Sequence, residues 1–250
     1  MKQSKFLLLL LGAAMTFFLI SCGSGEEKKS SESTSTDTAA AATTTTTEPA
    51  PVNTVITRPQ NMVVVRHKVA NFAKWMAAYD AHDSARLADG LHSYVISRGE
   101  QKDSNIVQVA MKADDLAKAK AFVKDPGLKK AMQKGGVVGA PMIKFYTMVF
   151  QDTAVIDSKL RAASIFKVKD WATWQKAFDS TRALKTDNGL MPRAYGYDPD
   201  DNHNVVIVSA ILDTAKAHAY WNSDMLKQRR AAGGVVGKPE RFEYTIVKLY

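Results

Sequence analysis

The chain has 250 residues, of which 46% are hydrophobic, and its 34 lysines and arginines against 25 acidic residues give a formal net charge of +9. The single cysteine, Cys22, excludes an intrachain disulfide and any metal or redox site built on a cysteine pair. The basic residues are scattered and mixed with acids, which excludes the clustered positive stripe typical of a protein that binds nucleic acid.

The first 21 residues have the composition of a targeting segment. A positively charged start is followed by an apolar run at 6–20, which is short for a membrane-spanning helix because such a helix needs about 20 apolar residues. The run ends in Leu-Ile-Ser-Cys, which resembles a bacterial lipobox and implies a signal peptide at 1–21 and lipidation of Cys22. Gly23, in place of an aspartate, favours the outer membrane of the cell envelope. An ordinary signal peptide or a membrane anchor with a chance cysteine is the alternative.

Residues 22–54 have the composition of a tether. They are mostly Ser, Thr, Ala, Glu and Lys, with an unbroken threonine run at 43–47. Such a segment cannot bury enough apolar surface to offset the entropy of ordering. We expect a flexible coil spanning roughly 30 Å, with the lipid anchor as the contact between the protein and the membrane.

From residue 55 onward, hydrophobic periodicity predicts strands and helices. Phe72, Trp75 and Tyr79 share one helix face, a spacing typical of core packing rather than of a cofactor site. The first set of predicted elements lies at 62–69, 71–88, 91–98, 105–111, 114–123, 126–135 and 142–150. The second set lies at 162–168, 171–185, 190–197, 204–211, 214–221, 224–232 and 241–249.

The two sets belong to two copies of one sequence. Gly-Gly-Val-Val-Gly-Ala-Pro at 135–141 returns 98 positions later as Gly-Gly-Val-Val-Gly-Lys-Pro at 233–239. Asn-Phe-Ala-Lys-Trp at 71–75 returns 99 positions later as Asp-Trp-Ala-Thr-Trp at 170–174. Self-similarity at a fixed spacing indicates a duplicated structural unit.

Each copy has the order βαββαβ, which is that of a ferredoxin-like unit. We predict an α+β fold with a first repeat at 55–152 and a second at 153–250. Each unit leaves one sheet face uncovered, so we expect the two sheets to close face to face into one barrel with the helices outside. The chain would then be a monomer with an internal pseudo-twofold axis.

Both copies resemble the dimeric α/β-barrel superfamily, in the branch of antibiotic biosynthesis monooxygenase-like and cyclase-like domains. The resemblance rests on Val-Ala-Asn-Phe-Ala-Lys-Trp at 69–75, on Val-Lys-Asp-Trp-Ala-Thr-Trp at 168–174, and on the stretches that end at Pro141 and Pro239. It covers residues 60–250. It implies a fold rather than a function, because the superfamily contains cofactor-free oxygenases, haem-handling enzymes, isomerases, cyclases and ligand-sensing domains.

No motif in either copy carries catalytic chemistry by itself. The Gly-Gly-Val-Val-Gly segments lack the Lys-Ser/Thr ending of a phosphate-binding loop, so a turn is the simpler interpretation. The histidines are dispersed without metal-ligand spacing, and we expect neither a metal nor a cofactor. His67 and His92 are the catalytic candidates, because the second copy has Phe166 and Met191 in their places and a specialised first copy would produce such a difference. Drift in an interior that only needs filling is the alternative.

Strand alternation predicts which side chains line the barrel. In the second strand of each copy one face carries large, half-polar residues and the other carries small residues that suit close helix packing. We expect the large face to line an interior small-molecule site. The predicted interior residues are His92, Tyr94 and Arg98 of the first copy and Arg193, Tyr195 and Tyr197 of the second. An anionic ligand would satisfy the arginines.

Three function classes are compatible with the sequence. We favour a lipid-anchored protein that binds a small anionic or aromatic molecule without turnover, because no catalytic signature is present. The first alternative is a cofactor-free oxygenase, isomerase or cyclase acting on a small aromatic or polyketide-like compound. The second alternative is haem binding through His67 or His92.

Overall fold

The computed structural model describes residues 53–99 and 104–250. The predicted signal peptide, the lipidation site at Cys22 and the tether up to residue 52 lie outside the described residues. Within the described ranges, no helix has the length and apolar character needed to cross a membrane.

Both halves of the described chain have the same order of elements. The first half consists of β1 (Val55–Ile56), β2 (Gln60–Val69), α1 (Phe72–Ala81), α2 (Asp83–Ala88), β3 (Leu91–Gly99), β4 (Ile106–Ala113), α3 (Leu116–Phe122), α4 (Pro126–Lys134) and β5 (Val137–Asp152). The second half consists of β6 (Leu160–Val168), α5 (Trp171–Asp179), α6 (Ala183–Asp187), β7 (Leu190–Asp198), β8 (Asp201–Ile211), α7 (Thr214–Asn222), α8 (Asp224–Ala232) and β9 (Val235–Leu249).

Six of the eight helices in the described part of the chain begin at a side-chain cap, and α2 and α6 do not. Asn71 before α1 and Asp170 before α5 each accept a hydrogen bond from the backbone N–H three residues later, at 2.9 and 2.7 Å. The chain leaves the helical path at His82, so the helix expected at 71–88 is two short helices, α1 and α2. The helix expected at 171–185 is divided in the same way.

The strands form one antiparallel sheet that closes on itself. Hydrogen bonds connect the strands in the order β5-β2-β4-β3-β9-β6-β8-β7, and β7 pairs again with β5, while β1 extends the sheet beside β5. The two halves meet at two seams, β3–β9 and β5–β7. The predicted α+β class and the barrel-like architecture are confirmed, and the halves are joined by continuous strand pairing as well as by facing sheets.

Close approach of the strands at one seam depends on a glycine. Gly196 in β7 lies opposite Met148 of β5, and a Cβ atom at this position would clash with the carbonyl oxygen of Thr147. A glycine inside a strand often marks such an approach of two backbones.

Two β-bulges determine which side chains face the barrel interior. Ser93 pairs with Met111 and Val95 with Ala110, so Tyr94 is an extra residue in β3. Arg193 is the extra residue at the equivalent place in β7. A bulge places two residues of one strand opposite one residue of its partner. The alternation of faces that holds before each bulge is therefore reversed after it.

Candidate functional site

The closed sheet encloses a cavity of about 370 Å³. Most of its wall is apolar, and four charged side chains also contribute to it. The apolar lining includes Met62, Val64, Met148, Ile165, Val206 and Val208, and the charged lining consists of Arg66, Arg161, Arg193 and Asp152. This is the interior space in which the sequence predicts a small-molecule site.

Two of the predicted interior residues line this cavity. Tyr94 and Arg193, the two bulge residues, both contribute to its wall. Arg193 forms an ion pair with Asp152 at 3.3 Å and donates a short hydrogen bond to the carbonyl oxygen of Ala154. Arg193 thus has internal partners, which an arginine kept only for an anionic ligand would lack.

The expectation that Arg98 lines the interior is wrong. The Arg98 guanidinium lies 4.5 Å above the ring of Phe72 on the helix side of the sheet and donates to the carbonyl oxygen of Ser104. The bulge at Tyr94 is the physical reason. Each residue of β3 after the bulge lies on the face opposite to the one that strict alternation assigns to it.

The same reversal removes Tyr195 and Tyr197 from the interior. The Tyr195 hydroxyl donates to the carboxylate of Asp179 at 2.8–2.9 Å, and its ring packs among the aromatic residues of α5. Tyr197 lies edge-on to Trp171, with ring centroids 4.7 Å apart. Both tyrosines hold α5 on the sheet.

Neither candidate histidine lies in the interior cavity. His92 is at the surface, with Nε2 2.9 Å from an Asp114 carboxylate oxygen. His67 is buried on the helix side, where its ring centroid is 5.5 Å from that of Trp75. Neither of its ring nitrogens has a hydrogen-bond partner among the described residues, and burial lowers the pKa of His67 to about 4. The adjoining cavity of about 60 Å³ is too small for a porphyrin.

The second repeat contains a cavity between its helices and the outer face of its sheet, and this cavity is larger than the one beside His67. This space, which we call the second-repeat pocket, has a volume of about 220 Å³. Five aromatic rings contribute to its wall: Phe166, Trp174, Phe178, Tyr220 and Trp221. Three cations also line it: Lys185, Arg229 and Arg230. An engineered apolar cavity of ~150 Å³ accommodates benzene, so the second-repeat pocket has room for an aromatic ring with a substituent.

The cations of the second-repeat pocket have few hydrogen-bond partners among the described residues. Lys185 is buried, with Nζ 3.7 Å from the centre of the Phe178 ring, and the described residues offer it no hydrogen bond. Arg229 has a buried Nη1 without a partner in the described residues. Beside the pocket, Arg241 stacks 3.8 Å over Trp221 and has a buried, unpartnered Nε. Buried donors without partners are rare and point to a missing acceptor.

The acids near this pocket are already engaged. Asp179 accepts the Tyr195 hydroxyl and lies 3.5 Å from Arg182, and Glu243 lies 3.3 Å from His218. The pocket therefore presents excess positive charge. Burial lowers the pKa of Lys185 to about 8 and that of Arg241 to about 10, because both cations lose solvation without gaining a full counter-charge.

The equivalent region of the first repeat has a smaller cavity, of about 60 Å³, and its cation is paired with an acid. Arg86, which corresponds to Lys185, donates to Asp83 at 2.8 Å and to the carbonyl oxygen of Tyr79 at 2.7 Å, while its buried Nε has no partner among the described residues. The second repeat has Arg182 where the first has Asp83, so the counter-ion is lost and another cation takes its place. The prediction that the first copy is the specialised half, through His67 and His92, finds no support in these arrangements.

Sequence reasoning missed the second-repeat pocket, although a signal was present. Comparison of the two copies position by position shows Ala131 and Met132 replaced by Arg229 and Arg230. Both replacements place a cation on a helix face that is apolar in the first copy.

No group of three or more potential metal-ligating side chains occurs in the part of the chain that the structure describes.

Solved structures similar to this chain share its fold. A candidate monooxygenase from Fusobacterium nucleatum has a TM-score of 0.52 at 12% identity, over 76% of this chain and 94% of its own. A candidate monooxygenase from Lactobacillus acidophilus has a TM-score of 0.51 at 9% identity, over 75% and 94%. A candidate chlorite dismutase has a TM-score of 0.52 at 13% identity, over 76% and 95%.

These likenesses concern architecture alone, because the sequence identities are low. The sequence matches no protein-family model and no curated protein.

Proposed function

We propose that this protein binds a small aromatic anion in the second-repeat pocket without converting it. The observation that carries the proposal is the buried Lys185 and the half-buried Arg229 and Arg230 beside aromatic walls, with buried donor atoms of Arg229 and of the adjacent Arg241 left without partners among the described residues. A carboxylate would accept from the guanidinium groups, and the aromatic body would pack on the rings of the wall.

The pocket supplies groups for recognition. Its cations, rings and hydroxyls can fix the position and charge of a ligand. The nearby contact between His218 and Glu243 lies outside the lining. Binding therefore accounts for the arrangement better than the alternative of a cofactor-free oxygenase, isomerase or cyclase, which needs a reacting group oriented by a second one.

Isothermal titration calorimetry with 2-naphthoate tests this proposal, and the neutral analogue 2-naphthalenemethanol is the ligand control. We expect the acid to bind and Arg229→Met to weaken it about tenfold or more, as for loss of a hydrogen bond to a charged group. Lys227→Met is the matched control, because Lys227 lies on the same helix but points to solvent and pairs with Asp224.

Two results would contradict the proposal. Equal affinity for the acid and the alcohol would show that the cations do not recognise the ligand. Conversion of naphthoate during prolonged incubation would show that the protein catalyses a reaction and does not only bind the ligand.

We also propose that the protein works as a monomer held at the bacterial envelope through lipidated Cys22. The lipobox-like motif supports the anchor, and the barrel completed within one chain supports the monomer. Cys22→Ser should abolish labelling by radioactive palmitate and leave a larger precursor. Equal labelling of both proteins would contradict the lipid anchor. Sedimentation at twice the chain mass would contradict the monomer.

A further inference from the structure

We infer that the interior cavity of the barrel is a second binding site, for a single-chain amphiphile with one carboxylate head group. This site is separate from the second-repeat pocket, since the sheet lies between them. It also differs in chemistry, because most of its wall consists of aliphatic side chains and thioethers, beside four tyrosines, whereas five aromatic rings and three cations line the second-repeat pocket.

The head-group end of the cavity contains a cation without an acid. Arg161 is buried, and its Nη1 donates to the carbonyl oxygens of Ser158 and Leu160 at 2.7 and 3.0 Å. No carboxylate pairs with it in the described part of the chain. Asp152, the acid of the lining, is held by Arg193 at 3.3 Å. Guanidinium has five donors, so Arg161 can still bind a ligand carboxylate.

Tyr94 completes this end. Its phenol lies in the field of both Arg161 and Arg193, and burial, the largest effect, raises the pKa of its hydroxyl. A neutral phenol can donate a hydrogen bond to the same carboxylate that Arg161 binds. The two bulges described above place Tyr94 and Arg193 here from opposite repeats.

The rest of the cavity suits an apolar chain. From the head-group end the walls continue as Met62, Val64, Met148, Ile165 and Val206. Methionine side chains adapt to irregular ligands because they are unbranched and flexible. At about 370 Å³ the space is more than twice the ~150 Å³ cavity that holds one benzene ring. An empty apolar cavity lowers the stability of the fold, so a chain that fills this one should stabilise the protein.

The segment between Asp152 and Leu160, which links the repeats, contributes to the wall of the cavity. Residues Thr153, Ala154 and Ile156 line the cavity, and Arg193 fastens the linker through Asp152 and the Ala154 carbonyl oxygen. The carboxylate head would therefore lie close to the linker, with the chain directed inward.

Fluorescence titration of the protein with cis-parinaric acid, and separately with its methyl ester, tests the inference. We expect one molecule of acid per chain, and binding of the ester weaker by about tenfold or more because the neutral ester offers Arg161 no negative charge and no bidentate pair of equivalent oxygens. Arg161→Met should reduce the affinity for the acid to that of the ester. Ala110→Phe, which adds a phenyl ring to the wall of the cavity, should abolish binding of both.

Arg229→Met is the matched control, since it removes a cation from the second-repeat pocket only. It should leave parinarate binding unchanged while weakening naphthoate, and Arg161→Met should do the reverse. The two proposals can thus fail independently. Equal binding of acid and ester to the unmodified protein would overturn the inference without any variant, and so would unchanged binding in a folded Ala110→Phe protein.

Discussion

Lys185→Met and Arg86→Met change equivalent positions of the two repeats, and we expect them to change stability in opposite directions. Lys185 is a buried cation whose Nζ lies over the Phe178 ring and has no hydrogen bond among the described residues, whereas Arg86 is a buried cation held by Asp83 and by the carbonyl oxygen of Tyr79. If the second-repeat pocket is prepared for an anion, the unliganded protein carries the cost of the unpaired charge.

The pKa of Lys185 gives the size of this cost. Its fall from 10.5 to about 8 corresponds to roughly 3 kcal/mol, at about 1.4 kcal/mol for each pH unit. The contact with the Phe178 ring returns about 0.5–2 kcal/mol. Lys185→Met should therefore raise the free energy of unfolding by about 1–3 kcal/mol at neutral pH. Arg86→Met should lower it by about 1–3 kcal/mol, mainly through the lost hydrogen bond to the Tyr79 carbonyl, since Asp83 is half-exposed.

Urea denaturation followed by circular dichroism measures both effects. A lysine whose folded-state pKa is lowered makes the unfolded state bind more protons between the two pKa values, so stability of the unmodified protein rises as pH increases from about 8 to 10.5. The advantage of Lys185→Met should disappear over this same interval. Destabilisation by Lys185→Met as large as that by Arg86→Met would refute the idea of an unpaired, ligand-ready cation.

We make three further predictions, on stability in acid, on the protonation of Lys185 and on the seam between the halves. Burial keeps His67 neutral with a pKa near 4, so stability should fall by up to about 3 kcal/mol as pH drops from 6.5 to 4; His67→Phe, which installs the residue of the second repeat, should remove this dependence in urea titrations at several pH values. Naphthoate affinity should decrease above pH 8, where free Lys185 loses its proton, and a flat calorimetric profile would remove Lys185 from the site. Gly196→Ala should cost about 1–3 kcal/mol through overpacking at the β5–β7 seam, measured against Gly139→Ala, whose added methyl meets open space and which should show only the cost of its positive φ.

The architecture was predictable because it depends on features that occur twice in the sequence. Helical spacing of Trp75 and its counterpart Trp174, and the repeated glycine segments, specify two units of one kind. Pairing of the units follows from the apolar face that each would otherwise expose. The last strands begin earlier than expected, at Val137 and Val235, since the glycine segments enter the sheet after a single turn.

The ligand-binding side chains were less predictable because they depend on local departures from the regular pattern. Period-two alternation assigns Arg98 and Tyr195 to the interior, and one extra residue in each strand reverses that assignment. No composition signal marks a bulge at Tyr94 or Arg193. The unpaired state of Lys185 is equally invisible in a single copy, since it depends on which neighbour occupies the place of an acid.

Joining the halves in one chain has a consequence for how such a protein can change over generations. In a homodimer each substitution appears in both subunits, so a helix that acquires cations around one cavity acquires them around its twin, and the cost of desolvating them is incurred twice. Here the segment between Asp152 and Leu160 makes closure of the barrel intramolecular, and its effective concentration does not fall on dilution. One half can therefore keep its buried cation paired with an acid, as Arg86 is with Asp83, while the other tolerates the charges of Arg229 and Arg230.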